Sequence, residues 1–283
     1  VIGVKYTNEI EKFMFGRDFF FTRFYSYSIG DWANISGALY NLKLDNPEVK
    51  FYIPSGEFLK KIAPNYKDWG YGSIDPSTYI EVVYKNNPYV SMVDSYEGTA
   101  YTDHFRAQLD QQIPLAEKIL LRFGYTPSEI SKMDCTPKLF VGEDERSKIL
   151  NITGDLNYGC LLFGSRVNNL KGRWSFDNHL LEQAEKYKDT KVFYYSEFDL
   201  EGTDWGELFK NKVNITDLGL SIREQVVLKY LAKFNIGYHA GINDAILGNG
   251  KDNIILTPYE PWTETHIRNT KYVFKDGSTK FFE

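Results

Sequence analysis

Apolar residues along this chain fall into short unbroken runs that alternate with stretches repeating every three or four positions, the pattern of strands separated by helices. The run FFFTRFY at 19–25 is aromatic and β-branched and predicts a strand. SYSIGD follows as a loop carrying Gly30. The spacing of Ile35, Leu39 and Leu42 then predicts a helix over 32–44, stopped by Asp45-Asn46-Pro47. VKFYI at 49–53 reads as a second strand, and EFLKKI at 57–62 as a short helix behind Pro54-Ser55-Gly56. This strand–helix–strand–helix order implies parallel strands joined by right-handed crossovers.

The middle of the chain is less regular. TYIEVVY at 78–84 and YVSMVDS at 89–95 both read as strands, and 103–125 as a helix broken near Pro114. Thr126 opens another helix, and 135–150 reads as a strand followed by a charged helix or linker. A second alternating block starts near Gly159. CLLFGS at 160–165 is a strand, RVNNLKGRW a basic loop, and 175–189 a helix with Ser175 as candidate N-cap. KVFYYS, VNITDLG and NIGYHAG are strands with their turns. Between the last two, SIREQVVLKYLAKF is a helix whose Ser221 and Glu224 have capping-box spacing. INDAILG starts a further helix, NIILTP is a strand, and Asp276-Gly277 marks a turn near the C-terminus.

The expected fold class is therefore α/β, with two Rossmann-like domains over residues 1–150 and 151–283 and a boundary in the stretch 140–158. The net charge of −5 is not that of a dedicated nucleic-acid binder, which is usually basic, although it leaves room for a local basic patch. The 21 Tyr and 5 Trp suit clefts that hold sugars or bases, because each ring has an apolar face and a polar tip; a general Tyr, Phe, Asn and Lys bias explains them equally. Cys135 and Cys160 form neither metal spacing nor a disulfide framework, as in a reducing compartment. No apolar run approaches the ~20 residues of a membrane span, and VIGVKYTNEIEKF does not read as a secretory signal, so a cytoplasmic location is expected.

Three segments carry candidate chemistry. Ser28-Ile29-Gly30-Asp31 lies at a strand-to-helix turn, where open α/β sheets bind ligands. Gly30 permits close backbone approach, and Asp31 is either a general base or a plain helix cap. Gly164-Ser165-Arg166 and Lys171-Gly172-Arg173-Trp174 place three cations and a hydroxyl after a strand, suited to a diphosphate or else a solvated basic loop. His239-Ala240-Gly241-Ile242-Asn243-Asp244 joins a strand to a helix. There His239 is a ligand for phosphate or ribose or a structural histidine, and Asn243 and Asp244 are binding groups or ordinary helix-start residues. His104 and Arg106, in TDHFRAQ, are candidates for the acceptor side or for a helix surface. Phosphate-loop, nucleophile-elbow and HExxH patterns are absent, as is GxGxxG, and the four histidines have no metal spacing.

On these residues the chain resembles the GT-B glycosyltransferases, and among them the heptosyltransferase-like family that uses ADP-heptose to build lipopolysaccharide. The resemblance rests on FFFTRFYSYSIGDWANISGALYNLKLDNPEVKFYI, CLLFGSRVNNLKGRWSFDNHLLEQA and VNITDLGLSIREQVVLKYLAKFNIGYHAGINDA, roughly two-thirds of the chain. There are departures. The family's D-S-G-x-x-H stretch reads here with Asp244 at the histidine position, and Gly172 stands where the family has a lysine before tryptophan.

The resemblance implies two domains facing across a cleft, the first holding the acceptor and the second a nucleotide-sugar. It implies Asp31 as catalytic base, and Lys171 or Arg173 with Ser165 and Arg166 on the donor diphosphate. The amides of the Gly241 loop would hold the phosphates. Inverting displacement without a bound metal or further cofactor is implied, with a glycan as acceptor. A hydroxymethylated base in phage DNA is the alternative acceptor. A non-catalytic two-domain sugar or nucleotide binder is the alternative from another class.

Overall fold

The computed structural model describes residues 18–22, 28–63, 66–69, 75–97, 100–102, 113–162, 178–195, 200–257, 266–274 and 276–282. The chain divides into two compact units, Val1–Phe140 with Trp262–Ile267, and Val141–Pro261 with Arg268–Glu283.

In the first unit the strands β1 (Phe19–Thr22), β2 (Phe51–Pro54), β3 (Val90–Val93) and β4 (Ala100–Thr102) form a parallel sheet in the order β3-β2-β1-β4. Helix α1 (Ile29–Asp45) is its main support. Trp32, Ala33, Ile35, Ala38, Leu39 and Leu42 are all at 0% exposure, so this helix is enclosed on most sides. Each large apolar side chain buried in this way contributes about 1.5–3 kcal/mol. Two buried asparagines on the same helix donate to backbone carbonyls. Asn34 donates to Gly30 O at 2.8 Å, and Asn41 donates to Gly37 O at 2.8 Å and to Asp134 O at 2.9 Å. Gly37 has a packing reason: a Cβ there would collide with the carbonyl oxygen of Cys135.

Helices α2 (Gly56–Ile62), α3 (Tyr79–Tyr84), α4 (Leu115–Arg122) and α5 (Pro127–Ile130) complete the first unit's described elements. Pro114 is the N-cap of α4, and Thr126 with Glu129 forms the capping box of α5. Three expectations are corrected. Residues 79–84 are helix, not strand: Asp75 and Pro76 start a 3-10 turn that leads directly into α3. Tyr79, Ile80, Val82, Val83 and Tyr84 are all buried there, so tertiary packing overrides β propensity. The segment before Gly142 is not a strand, because Asn41 and the Ser36 hydroxyl take the Asp134 carbonyl and the Lys138 amide that a strand would pair. Gly30 and Asp31 lie within the first turn of α1, not in the preceding loop, because Ser28 caps the helix.

The second unit contains, among the described residues, a seven-stranded sheet. Its strands are β5 (Tyr158–Leu162), β6 (Lys191–Tyr195), β7 (Lys212–Asn214), β8 (Phe234–Tyr238), β9 (Asp252–Thr257), β10 (Thr270–Phe274) and β11 (Thr279–Phe282). Their order is β11-β10-β9-β8-β5-β6-β7, parallel except for the β10–β11 hairpin around Asp276-Gly277. Helices α6 (Glu143–Thr153), α7 (Asn178–Ala184), α8 (Asp204–Leu208), α9 (Ile222–Leu231) and α10 (Gly241–Asp244) accompany it. The Ser221–Glu224 capping box is present at the start of α9. Ser175 lies outside the described residues.

Two polar features interrupt this core. Asn235 on β8 pairs in register with Asn253 on β9, and its amide donates to Asn253 Oδ1 at 3.0 Å and to Lys229 O at 3.1 Å. Lys229 on α9 is 1% exposed, and its ammonium nitrogen has no hydrogen-bond partner. Burial holds its pKa below the ordinary 10.5, only partly opposed by nearby Cys160. Cys160 and Cys135 are buried and not joined in a disulfide. Among the described residues, no helix is long and apolar enough to cross a membrane.

Candidate functional site

In each sheet the first strand is the one from which the chain moves outward in both directions. β1 leads to β2 and β3 on one side and has β4 on the other; β5 leads to β6 and β7 on one side and has β8 on the other. Such a reversal leaves a crevice at the carboxyl ends of the strands, where α/β sheets bind ligands.

In the first unit that position is occupied by the start of α1. Ser28 has extended backbone, and its Oγ accepts from the amide of Asp31 at 3.3 Å. The Ser28 hydroxyl also donates to Asp31 Oδ2. Ser28 is thus the cap and Asp31 the third helical residue, where the helix dipole favours a carboxylate. The turn is rigid. Asn34 holds the Gly30 carbonyl at 2.8 Å, and the Tyr84 hydroxyl holds that of Trp32 at 3.1 Å. Asp31 remains half-buried. The same edge bears a pair that no motif in the sequence marks. Pro54 and Val93 are in register at the ends of β2 and β3, and Ser55 just beyond donates to Asp94 Oδ1 at 2.5 Å. Only the position of each residue behind a strand hints at it. His104 and Arg106 lie outside the described residues.

In the second unit, Ser165, Arg166, Lys171 and Arg173 fall in the stretch after β5 that lies outside the described residues. The loop after β8 is described. Gly237 allows β8 close to β5, since a Cβ there would collide with the carbonyl oxygen of Leu162. His239 donates its amide to Leu256 O at 2.8 Å, and its ring is only 5% exposed. Nδ1 lies 3.2 Å from Thr257 Oγ1 at the end of β9. Nε2 lies 3.2 Å from Asp244 Oδ1, an ion-pair separation whose approach is off the line of a hydrogen bond.

Asn243 is fully buried, and its amide donates to Tyr238 O at 2.5 Å, clamping the loop onto the strand that precedes it. Gly241 opens α10, whose first bonds run from the amides of Asn243 and Asp244 to Ala240 O at 2.8 and 3.0 Å. The amides of Gly241 and Ile242 precede those bonds, as at any helix start. Four of the expected residues, His239, Gly241, Asn243 and Asp244, lie together at the junction of β8 and α10. Thr257 joins them without any local signal in NIILTP. Among the described residues, no cluster of three or more His, Cys, Asp or Glu is arranged to hold a metal ion.

No protein-family model matches the chain, and no curated protein matches it by sequence. Solved structures do match. A glycosyl transferase of family 9 from Veillonella parvula superposes with a TM-score of 0.56 over 93% of this chain and 87% of its own, at 13% identity. The Escherichia coli ADP-heptose lipopolysaccharide heptosyltransferase II gives 0.49 over 90% of each chain at 12% identity. An E. coli heptosyltransferase solved with ADP gives 0.48 over 92% of each chain at 12% identity. The strand orders and the family 9 superposition together establish that this chain has the two-sheet α/β fold of a family 9 glycosyltransferase.

Proposed function

We propose that this protein is a glycosyltransferase that moves a sugar from a nucleotide-sugar to an acceptor hydroxyl, with a glycan as the acceptor. The observation that carries this reading is the repeated switch point: each unit has polar residues following a parallel strand at its carboxyl end, in a fold shared with a family 9 glycosyltransferase. In this reading the first unit receives the acceptor and the second the donor.

Asp31 takes the proton from the acceptor hydroxyl as its oxygen attacks the anomeric carbon. The bond from that carbon to the diphosphate breaks on the opposite side, which inverts the centre. The nucleoside diphosphate leaves with the negative charge. Arg166, Lys171 and Arg173, with Ser165 and the amides at Gly241, stabilise that charge as it develops. His239, Asn243 and Asp244 shape the loop, and His104 and Arg106 contribute to the acceptor side. No metal is required by this scheme. The alternative acceptor, a hydroxymethylated base in DNA, finds no support in the folds matched, and the net charge of −5 adds none.

The test is a thermal-shift screen with ADP, UDP, GDP and their sugars, followed by assay of nucleoside diphosphate release. A cognate nucleotide at 100 times its dissociation constant stabilises by about 2.7 kcal/mol, a shift of several degrees. Failure of every nucleotide to raise the melting temperature overturns the proposal. Binding without release, in the presence of acceptor glycans, favours the non-catalytic binder.

A further inference from the structure

The last turn of α9 is held by side chains from three different places in the second unit. Tyr158 on β5 donates its hydroxyl to Leu228 O at 2.7 Å, and Asn235 on β8 donates to Lys229 O at 3.1 Å. Asn249, in the turn before β9, donates to Tyr230 O at 3.2 Å. The last four carbonyls of an α-helix have no i+4 donor, and these are three of them.

The asparagines are linked to one another. Asn235 Nδ2 donates to Asn253 Oδ1 at 3.0 Å, and Asn253 Nδ2 donates to Asn249 Oδ1 at 3.0 Å. This chain settles which end of each amide carries the nitrogen. Cys160, Asn235 and Asn253 stand in register on β5, β8 and β9, so they share the face of the sheet that lies under the end of α9. With Nδ2 directed to Asn253 on one side, Asn235 turns Oδ1 to the other, where Cys160 stands.

Two polar atoms in this row have no protein partner. Asn235 is 0% exposed, and its Oδ1 meets no hydrogen-bond donor. Lys229 is 1% exposed, and its Nζ meets no acceptor. Cys160, itself 0% exposed, is the group that acts electrostatically on the Lys229 charge, which sets the ammonium group over the same row. A buried donor and a buried acceptor thus converge on one thiol, and leaving either unmatched is costly.

Their chemistry selects the occupant. An anion would suit Nζ but would face the negative end of the Asn235 amide. A metal cation would suit Oδ1 but would face the ammonium group. A water molecule accepts from Nζ and donates to Oδ1, with a second proton left for the sulfur of Cys160.

We propose that Lys229, Asn235 and Cys160 enclose a binding site for one internal water, held between Lys229 Nζ and Asn235 Oδ1. The water ties the Lys229 side chain to the asparagine chain that already holds its carbonyl, and so locks the last turn of α9 onto the sheet. The site is independent of the sugar-transfer reading and of any nucleotide.

The experiment is a crystal structure of the full chain, at a resolution that orders internal waters, for wild type and K229M. Wild type is expected to show one water within about 3.2 Å of both Nζ and Oδ1. K229M should lack it, because methionine offers no donor. A direct Nζ–Oδ1 contact, no water between the two atoms, or a water that persists unchanged in K229M overturns the proposal. In solution, a long-lived water should give cross-relaxation with the Asn235 side-chain amide protons in wild type, and no such signal there overturns the site without recourse to a variant.

Discussion

Ser28 and Asp31 are bound to each other in both directions: the serine oxygen accepts from the aspartate amide at 3.3 Å, and the serine hydroxyl donates to the aspartate carboxylate. One residue thereby starts the helix and aims the side chain assigned the role of base. S28A removes the cap and the donor together. Urea unfolding should show a loss of about 1 kcal/mol. Turnover should fall as well, because the carboxylate loses the group that orients it. A variant with unaltered stability and unaltered turnover would mean that Ser28 does neither.

Lys229 is a buried ammonium group without a hydrogen-bond partner, and burial holds its pKa below 10.5. The unfolded chain therefore binds a proton at this residue over a range where the native state does not. Stability must rise with pH from the depressed native value toward 10.5 and decline as pH falls. Below about pH 9, the Cys160 thiol, itself raised to about 12 from 9.0 by burial, does not obscure the trend. K229M should be more stable than wild type by about 1–3 kcal/mol near neutrality, with the alkaline gain diminished. Urea midpoints for both proteins at several pH values check this.

Glu145 and Arg223 form a bidentate pair at 2.9 and 2.8 Å, with each side chain 10% exposed. The same carboxylate accepts from the Gly142 amide at 3.0 Å, so the pair fixes the start of α6 against α9. R223M leaves Glu145 without its cation and should cost about 3–5 kcal/mol. Lys148 and Glu224 join the same two helices, but the lysine is 57% exposed. K148A should cost less than ~1 kcal/mol. Similar losses in the two variants would contradict the assignment of the anchor to Glu145 and Arg223.

Local signals in the sequence were legible; long-range ones were not. FFFT, VKFYI and KVFYY gave strands from composition alone, and the Ser221–Glu224 box was readable because its partners are three residues apart. The helix at 79–84 was misread because its Val, Ile and Tyr content favours strand while its burial against α1 favours helix. Helix α8 was not anticipated in DWGEL. The strand-to-helix turn that carries His239 and Gly241 is visible in NIGYHAG. The contact of Thr257 with His239 is not, because it spans 18 residues of sequence, and that of Asp94 with Ser55 is not, because it spans 39. Strand pairing brings each of these together, and no pattern within one segment encodes it.

The transferase proposal stands or falls on Asp31 removing a proton during sugar transfer. Nucleoside diphosphate release by wild type and D31N should be measured with the cognate nucleotide-sugar and an acceptor glycan, alongside the affinity of each protein for that donor. Turnover by wild type is expected, with a loss of about 10²–10⁴-fold in D31N and donor affinity preserved within a few-fold. Undiminished turnover by D31N, or donor binding with no turnover by either protein, contradicts the assignment of Asp31 as the base.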